Sequence, residues 1–272
     1  MAVTRRAVLQ TLAATGIGAI TGTGAYGFLY GRHELEMTSV TLPVAGLPPA
    51  LNGLRIGLLT DVHRSRWVSH DDVIRAVAML MNARPDLIVL GGDYVTYGDR
   101  QFVAPAAEAL AGLSAPHGVW AILGNHDDDR DMPAALEARR IQVLKDERTR
   151  LRIRGEDVDL IGIRFWTRRT TDISPLLRGT ARARILLAHD PRRLFEAVDL
   201  GIPLVLSGHT HGGQVVLPVV GSVATHKFPV VAGIGQRDRT TMFVSRGIGT
   251  VYVPVRVNCP PEVAILSLQA QL

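Results

Sequence analysis

The 272-residue sequence predicts a layered α/β sandwich. Three observations carry that reading: short apolar runs of buried-strand type alternate with helical segments, each run ends in a polar cluster, and the chain beyond Val215 is rich in Val, Thr and Gly with closely spaced turn signals. Leu35 to Val44 alternates loosely and meets Pro48-Pro49, which reads as an edge strand and turn. Arg55 to Thr60 is a buried strand, followed by apolar positions at helical spacing over Asp71 to Asn82, with Pro85 closing the helix. Asp86 to Leu90 is a second strand, Ala104 to Leu113 a helix, and Gly118 to Leu123 a third strand, giving a β-α-β-α-β pattern. Arg184 to Ala188 and Ile202 to Leu206 are two further buried strands, and the segment from Val215 onward is expected to form mainly β-structure in a second sheet. There is no internal repeat and no low-complexity tract.

The length suits one domain with a terminal extension, divided here into residues 1–31 and 32–272. Hydrophobic residues at 47% and charged residues at 20% exclude extended disorder. A net charge of +5 favours phosphate-bearing or anionic-lipid surfaces and keeps nucleic acid open as a partner, although the arginines between 148 and 193 are spread rather than gathered in one run. Cys259 is the only cysteine, so no intrachain disulfide and no CxxC centre exists, and any metal must use nitrogen and oxygen donors. Its apolar setting, Val257-Asn258-Cys259-Pro260-Pro261, reads as a small buried side chain.

At the N-terminus, Thr4-Arg5-Arg6-Ala7-Val8-Leu9-Gln10 opens an apolar segment without charge until Arg32. This is the layout of a twin-arginine export signal. With no clear A-x-A site before Arg32, retention as a membrane anchor is expected, although six glycines make the segment only mildly apolar. The expectation is a cell-membrane protein whose catalytic domain faces the extracytoplasmic side, delivered by the twin-arginine machinery.

Open parallel sheets carry their ligands outside the carboxyl ends of the strands. Five strand ends here carry Asp61-Val62-His63, Gly91-Gly92-Asp93, Gly124-Asn125-His126-Asp127, His189-Asp190 and Ser207-Gly208-His209-Thr210-His211. If the extended backbone continues, Asp61 and His63 leave on one face and can grip one ion, and His209 and His211 repeat that spacing. Asp93 offers two oxygens to bridge a pair of cations; Asn125 and His189 complete a second ion. All seven candidates are of the class that suits Mn²⁺, with Fe or Zn²⁺ as alternatives. His33, His70, His117 and His226 carry no motif and read as surface or capping residues.

Taken in order, DxH, GD, GNH(D/E), H and GHxH, these clusters resemble the calcineurin-like metallophosphoesterases over residues 54–212. The continuations His211-Gly212-Gly213-Gln214, Arg246-Gly247-Ile248-Gly249 and Asn258-Cys259-Pro260-Pro261-Glu262 are similar to the YaeI-type bacterial phosphodiesterases. The resemblance implies a four-layer α/β/β/α sandwich of two mixed sheets flanked by helices. It implies one cation held by Asp61, His63, Asp93 and His211 and another by Asp93, Asn125, His189 and His209, with a shared hydroxide attacking phosphorus in line. His126 is implied as the catalyst that is not a ligand, with Asp127 as a candidate to orient it. The serine/threonine phosphatase branch carries an Asp-Arg pair where Thr96-Tyr97 stand here, which counts against protein phosphatase activity and removes the usual acid partner of His126.

The expected function is therefore a metal-dependent phosphodiesterase or pyrophosphatase acting on a small phosphodiester, in particular a lipid-linked or nucleotide-sugar substrate at the membrane. A nuclease of the same superfamily and a non-catalytic, metal-stabilised membrane-associated binding protein are the alternatives.

Overall fold

In the computed structural model, which describes residues 4–222, 225 and 227–271, the apolar runs are the central strands of two six-stranded sheets. The chain opens with helix α1 (Arg5–Leu29), followed by β1 (Glu36–Ala45), β2 (Arg55–Leu59), α2 (His70–Asn82), β3 (Leu87–Leu90), α3 (Val103–Leu110), β4 (Val119–Ala121), α4 (Asp131–Glu137) and β5 (Gln142–Val143). It continues through β6 (Glu147–Ile153), β7 (Glu156–Gly162), α5 (Thr170–Ile173), β8 (Ala183–Leu187), α6 (Leu194–Asp199) and β9 (Leu204–Ser207). A short antiparallel pair follows, β10 (Val216–Leu217) with β11 (Gly221–Ser222), then β12 (Gly233–Arg237), β13 (Thr240–Val244) and β14 (Glu262–Gln271).

The first sheet runs β1-β14-β2-β3-β4-β5 and the second β12-β13-β9-β8-β7-β6. Strands β2 to β5 are parallel, and every residue of β3 is buried, which is why its sequence shows no alternation. Helix α2 begins at His70 because Ser69 and Asp72 cap it reciprocally, each side chain accepting the other's backbone N–H, an arrangement worth roughly 1 kcal/mol. Leu59, Ile88 and Leu90 face helices α2 and α3 in one core, and Leu58, Leu187, Leu206 and Phe243 fill the space between the sheets. A third core lies under α6, around Ile161, Leu186 and Val205.

The C-terminal region departs from the expected single destination. Strands β12 and β13 join the second sheet, but β14 returns to the first, parallel to β1 and antiparallel to β2. Its side chains explain the central slot: Val263 and Ile265 enter the helix-side core, and Ala264, Leu266 and Leu268 enter the core between the sheets. A strand apolar on both faces loses burial at an edge.

The segment expected as an address forms α1, whose residues 14–23 are exposed. Among the described residues, no helix is long and apolar enough to cross a membrane. The root of α1 is packed against the rest of the chain. A Cβ at Gly27 would press on Val255 and Val257, Arg32 donates to the Trp67 carbonyl at 2.7 Å, and His33 meets Asp72 at 3.0 Å. His33 thus fastens the junction to α2, and His70 is the first residue of that helix. His226 lies outside the described residues.

Candidate metal centre

The polar clusters that end β2, β3, β4, β8 and β9 meet at one edge of the two sheets. Asp61, His63 and His211 form one group of donor atoms within 4.8 Å of one another, and Asp93, His189 and His209 form a second. Asp93 joins them: its Oδ2 lies 3.5 Å from His63 Nε2 and 3.0 Å from His189 Nε2. His211 Nε2 lies 3.3 Å from Asp61 Oδ1. Asn125 stands on the turn before His126, and the His126 ring is 5.0 Å from that of His63.

Backbone conformation aims these groups. Asp61, His63, Asp93, His209 and His211 all sit at positive φ, between 47° and 73°. The expected extended continuation of β2 is therefore replaced by left-handed residues at Asp61 and His63, which still direct both side chains to one place. The neighbouring strand end supplies the reason. Asp61 N–H donates to the Gly92 carbonyl, His63 N–H to that of Asp93 and Arg64 N–H to that of Tyr94, so the two loops zip together beyond their strands. Left-handed non-glycine residues are costly and persist where the surroundings over-determine them, commonly at functional sites. Close approach does the rest. A Cβ on Gly124 would collide with Asp93 Oδ1, and one on Gly208 with Asp61 Oδ2.

The donor set fits divalent cations. His189 Nδ1 stands 2.7 Å from the Gly91 carbonyl, which can only accept, so Nδ1 carries the proton and Nε2 faces Asp93. His211 is oriented alike by the Gly249 carbonyl at 3.4 Å. His63 Nε2, His189 Nε2 and Asn125 Oδ1 are buried and have no hydrogen-bond partner. Unpartnered buried donors and acceptors are rare, and ring nitrogens set against carboxylate oxygens outside hydrogen-bonding geometry are reconciled by a cation.

The electrostatics agree. Burial pushes the Asp61 carboxyl up to about 6 and the His63 imidazole down to about 4. Burial opposes charge on His189 as well, yet Asp93 and Asp61 push it up to about 10. Burial also works against an ionised Asp93, but His189 and His63 hold it below the usual carboxylate range. The site concentrates negative charge that calls for positive charge at its centre.

Asp127 takes a different part from the one expected. Its carboxylate accepts backbone N–H groups from Asp93 at 2.7 Å, Tyr94 at 2.7 Å and Gly124 at 2.9 Å, tying the Gly92-Asp93 loop to the Gly124-Asn125 loop. The His126 ring is oriented by Tyr97, whose backbone N–H donates to Nδ1 at 3.0 Å. Since Nδ1 accepts, a neutral His126 carries its proton on Nε2. Thr96 Oγ1 lies 3.0 Å from His63 Nδ1, so the two residues replacing the Asp-Arg pair brace two histidines.

Comparison with known proteins decides the family. The calcineurin-like phosphoesterase family profile matches residues 54–213. The chain belongs to the calcineurin-like phosphoesterases. It is 30% identical over 270 residues to the uncharacterized metallophosphoesterase YkuE of Bacillus subtilis, covering 93% of each chain. It is 28% identical to the phosphodiesterase YaeI of Escherichia coli, covering 98% of this chain and 99% of that one. Among solved structures, the NAD nucleotidase of Haemophilus influenzae shares the fold, with a TM-score of 0.50 and 14% identity over 72% of this chain and 45% of that chain. This calcineurin-like chain is thus a hydrolase of phosphoester bonds.

Two further residues shape the site without being candidate ligands. Arg256 is fully buried and donates to the carbonyls of Arg246, Gly247, Gly249, His211 and Cys259. It thereby fixes the 246–249 loop, whose Gly247 and Gly249 pack against Asp61 and His63. Gln214 clamps residues 251 and 253 through its side-chain amide. The signal for Arg256 was a single charge inside the apolar run Val251 to Val257; for Gln214 there was only its place after His211-Gly212-Gly213. Cys259 is buried and its thiol donates to the His211 carbonyl, with burial pushing its pKa up, as its apolar setting predicts.

Proposed function

We propose that this hydrolase cleaves a phosphodiester or pyrophosphate bond at two divalent cations, Mn²⁺ in the first instance with Fe or Zn²⁺ as alternatives. Asp61, His63, Asp93 and His211 hold one, and Asp93, Asn125, His189 and His209 the other. The observation that carries this is Asp93 Oδ2, set within 3.5 Å of unpartnered ring nitrogens from both groups. Bound cations would supply an acidified water and neutralise charge on the phosphoryl oxygens. His126, oriented by Tyr97, donates from Nε2 to the departing oxygen. Asp127 keeps the loops bearing Asp93 and Asn125 in register, and Arg256 keeps Gly247 and Gly249 against Asp61 and His63.

The test uses the full chain with bis-p-nitrophenyl phosphate. Hydrolysis should require added Mn²⁺ and stop on chelation, and His126→Ala should lower kcat about 10²-fold with Mn²⁺ content unchanged. Turnover that persists in chelator, or Mn²⁺-loaded protein inert toward every phosphodiester tried, would sink the proposal.

The finer reading places the enzyme at the outer face of the cytoplasmic membrane, acting on a lipid-linked or nucleotide-linked substrate. Its support is the Arg5-Arg6 pair, the uncharged stretch to Arg32, and the exposure of α1 over residues 14–23. An alkaline phosphatase fused to residues 1–40 should be active only when the twin-arginine machinery is intact. An inactive fusion in wild-type cells counts against export.

A further inference from the structure

A groove of about 690 Å³ runs between the loops at 65–67, 96–102 and 250–254. Its lining sets large exposed apolar side chains, Trp67 at 42%, Tyr97 at 67% and Tyr252 at 79% exposure with Phe102 and Val253, beside the polar Arg66, Asp99 and Gln101. A volume of this size suits an organic ligand rather than a lone phosphate. It adjoins the catalytic histidine directly. The Tyr97 ring lies 4.9 Å from that of His126 and the Tyr252 ring 6.4 Å, the two tyrosines being 6.1 Å apart.

Tyr252 occupies its place against its own backbone preference, with φ at 62°. A bulky L-residue in the left-handed region is disfavoured, and glycine would sit there freely. The conformation is enforced by Gln214, itself buried. Its Nε2 donates to the carbonyls of Val251 and Val253, each at 3.1 Å, and its Oε1 accepts the Val251 N–H at 2.6 Å. Three hydrogen bonds from one side chain thus bracket Tyr252 and hold its ring at the mouth of the site. An exposed ring adds little to the core, so the arrangement is explained by what the ring touches.

We propose that Tyr252, held out by Gln214, forms with Tyr97 an aromatic rim that binds an apolar organic group on the departing side of the phosphoester, so the substrates are diesters bearing a hydrophobic substituent. The inference rests on the phosphodiesterase reading above and deepens it. Tyr252 is a specificity-determining residue and Gln214 a positioning residue.

Steady-state kinetics of the Mn²⁺-loaded full chain separate this from a structural role. Tyr252→Gly should raise KM for bis-p-nitrophenyl phosphate about tenfold with kcat little changed, the loss of one ring contact. The inhibition constant of inorganic phosphate, which has no organic group, should stay put, and the Tm should hold or rise as the backbone is relieved. Tyr252→Phe should restore KM, and Gln214→Ala should raise it as Tyr252→Gly does. An unchanged KM in Tyr252→Gly overturns the proposal, as does a parallel weakening of phosphate inhibition. If the wild type does not turn the diester over, the functional reading fails instead. The groove is then read from the thermal shift that bis-p-nitrophenyl phosphate gives the wild type; loss of that shift in Tyr252→Gly supports the rim, and an equal shift refutes it.

Discussion

Asp93→Asn should abolish all but a trace of hydrolysis, lowering kcat/KM on bis-p-nitrophenyl phosphate by at least about 10³-fold, the equivalent of roughly 4 kcal/mol. The substitution preserves shape, so Oδ1 can still accept the His126 N–H that it takes at 2.8 Å. What disappears is the negative oxygen shared between His63 and His189. Without it neither group of donors is complete, and bound Mn²⁺ measured by elemental analysis should fall below one ion per chain. Stability should fall as well. In chelator, His189 and His63 hold Asp93 below the usual carboxylate range, so its charge stabilises the metal-free fold; neutralising it leaves the buried His189 with Asp61 alone, and the Tm of the metal-free variant should lie below that of metal-free wild type at neutral pH. Normal turnover with two ions bound would refute the bridging role.

That substitution could be chosen from the sequence, and the reason shows what a sequence makes legible. Asp61, His63, Asp93, Asn125, His189, His209 and His211 stand out because their residue types are rare at the ends of apolar runs and recur there five times. The fold class follows from the same runs, since central parallel strands are apolar throughout and their crossover helices are amphipathic. Hidden from it was every contribution made through the backbone. Nothing in Tyr97 advertises that its amide orients His126, nor in Asp127 that its carboxylate serves three N–H groups. The left-handed turns at Asp61, His63, Asp93, His209 and His211 were equally hidden, because none of these residues is glycine. The return of β14 to the first sheet depends on pairing with Glu36–Ala45, more than 200 residues earlier, which no local pattern encodes.

Arg256 makes the hidden part measurable. Its guanidinium is wholly buried, and burial lowers its pKa, so a charge in that position costs the fold several kcal/mol unless its surroundings answer it. They answer with five carbonyl oxygens, those of Gly249 at 2.6 Å, Arg246 at 2.8 Å, Gly247 and Cys259 at 3.1 Å and His211 at 3.4 Å. Replacing a buried ion pair by apolar side chains is often harmless because both partners go. Here the acceptors are main chain and stay. Arg256→Met keeps the volume but takes from the carbonyls of Arg246 and Cys259 the one donor each has among the described residues, at about 1–3 kcal/mol apiece, partly offset by relief of the buried charge, while those of Gly247, Gly249 and His211 keep other donors. The net loss should be about 3 kcal/mol, seen as a Tm lower by about 6–12 °C for a domain of this size. Arg256→Lys keeps the charge, but one ammonium with three donors cannot serve five acceptors, so its Tm should fall between the two. Both variants loosen the loop that presses Gly247 and Gly249 on Asp61 and His63, and each should therefore need more Mn²⁺ for half-maximal activity than the wild type. An Arg256→Met protein melting within 2 °C of wild type would show that the guanidinium is not what holds this loop in place.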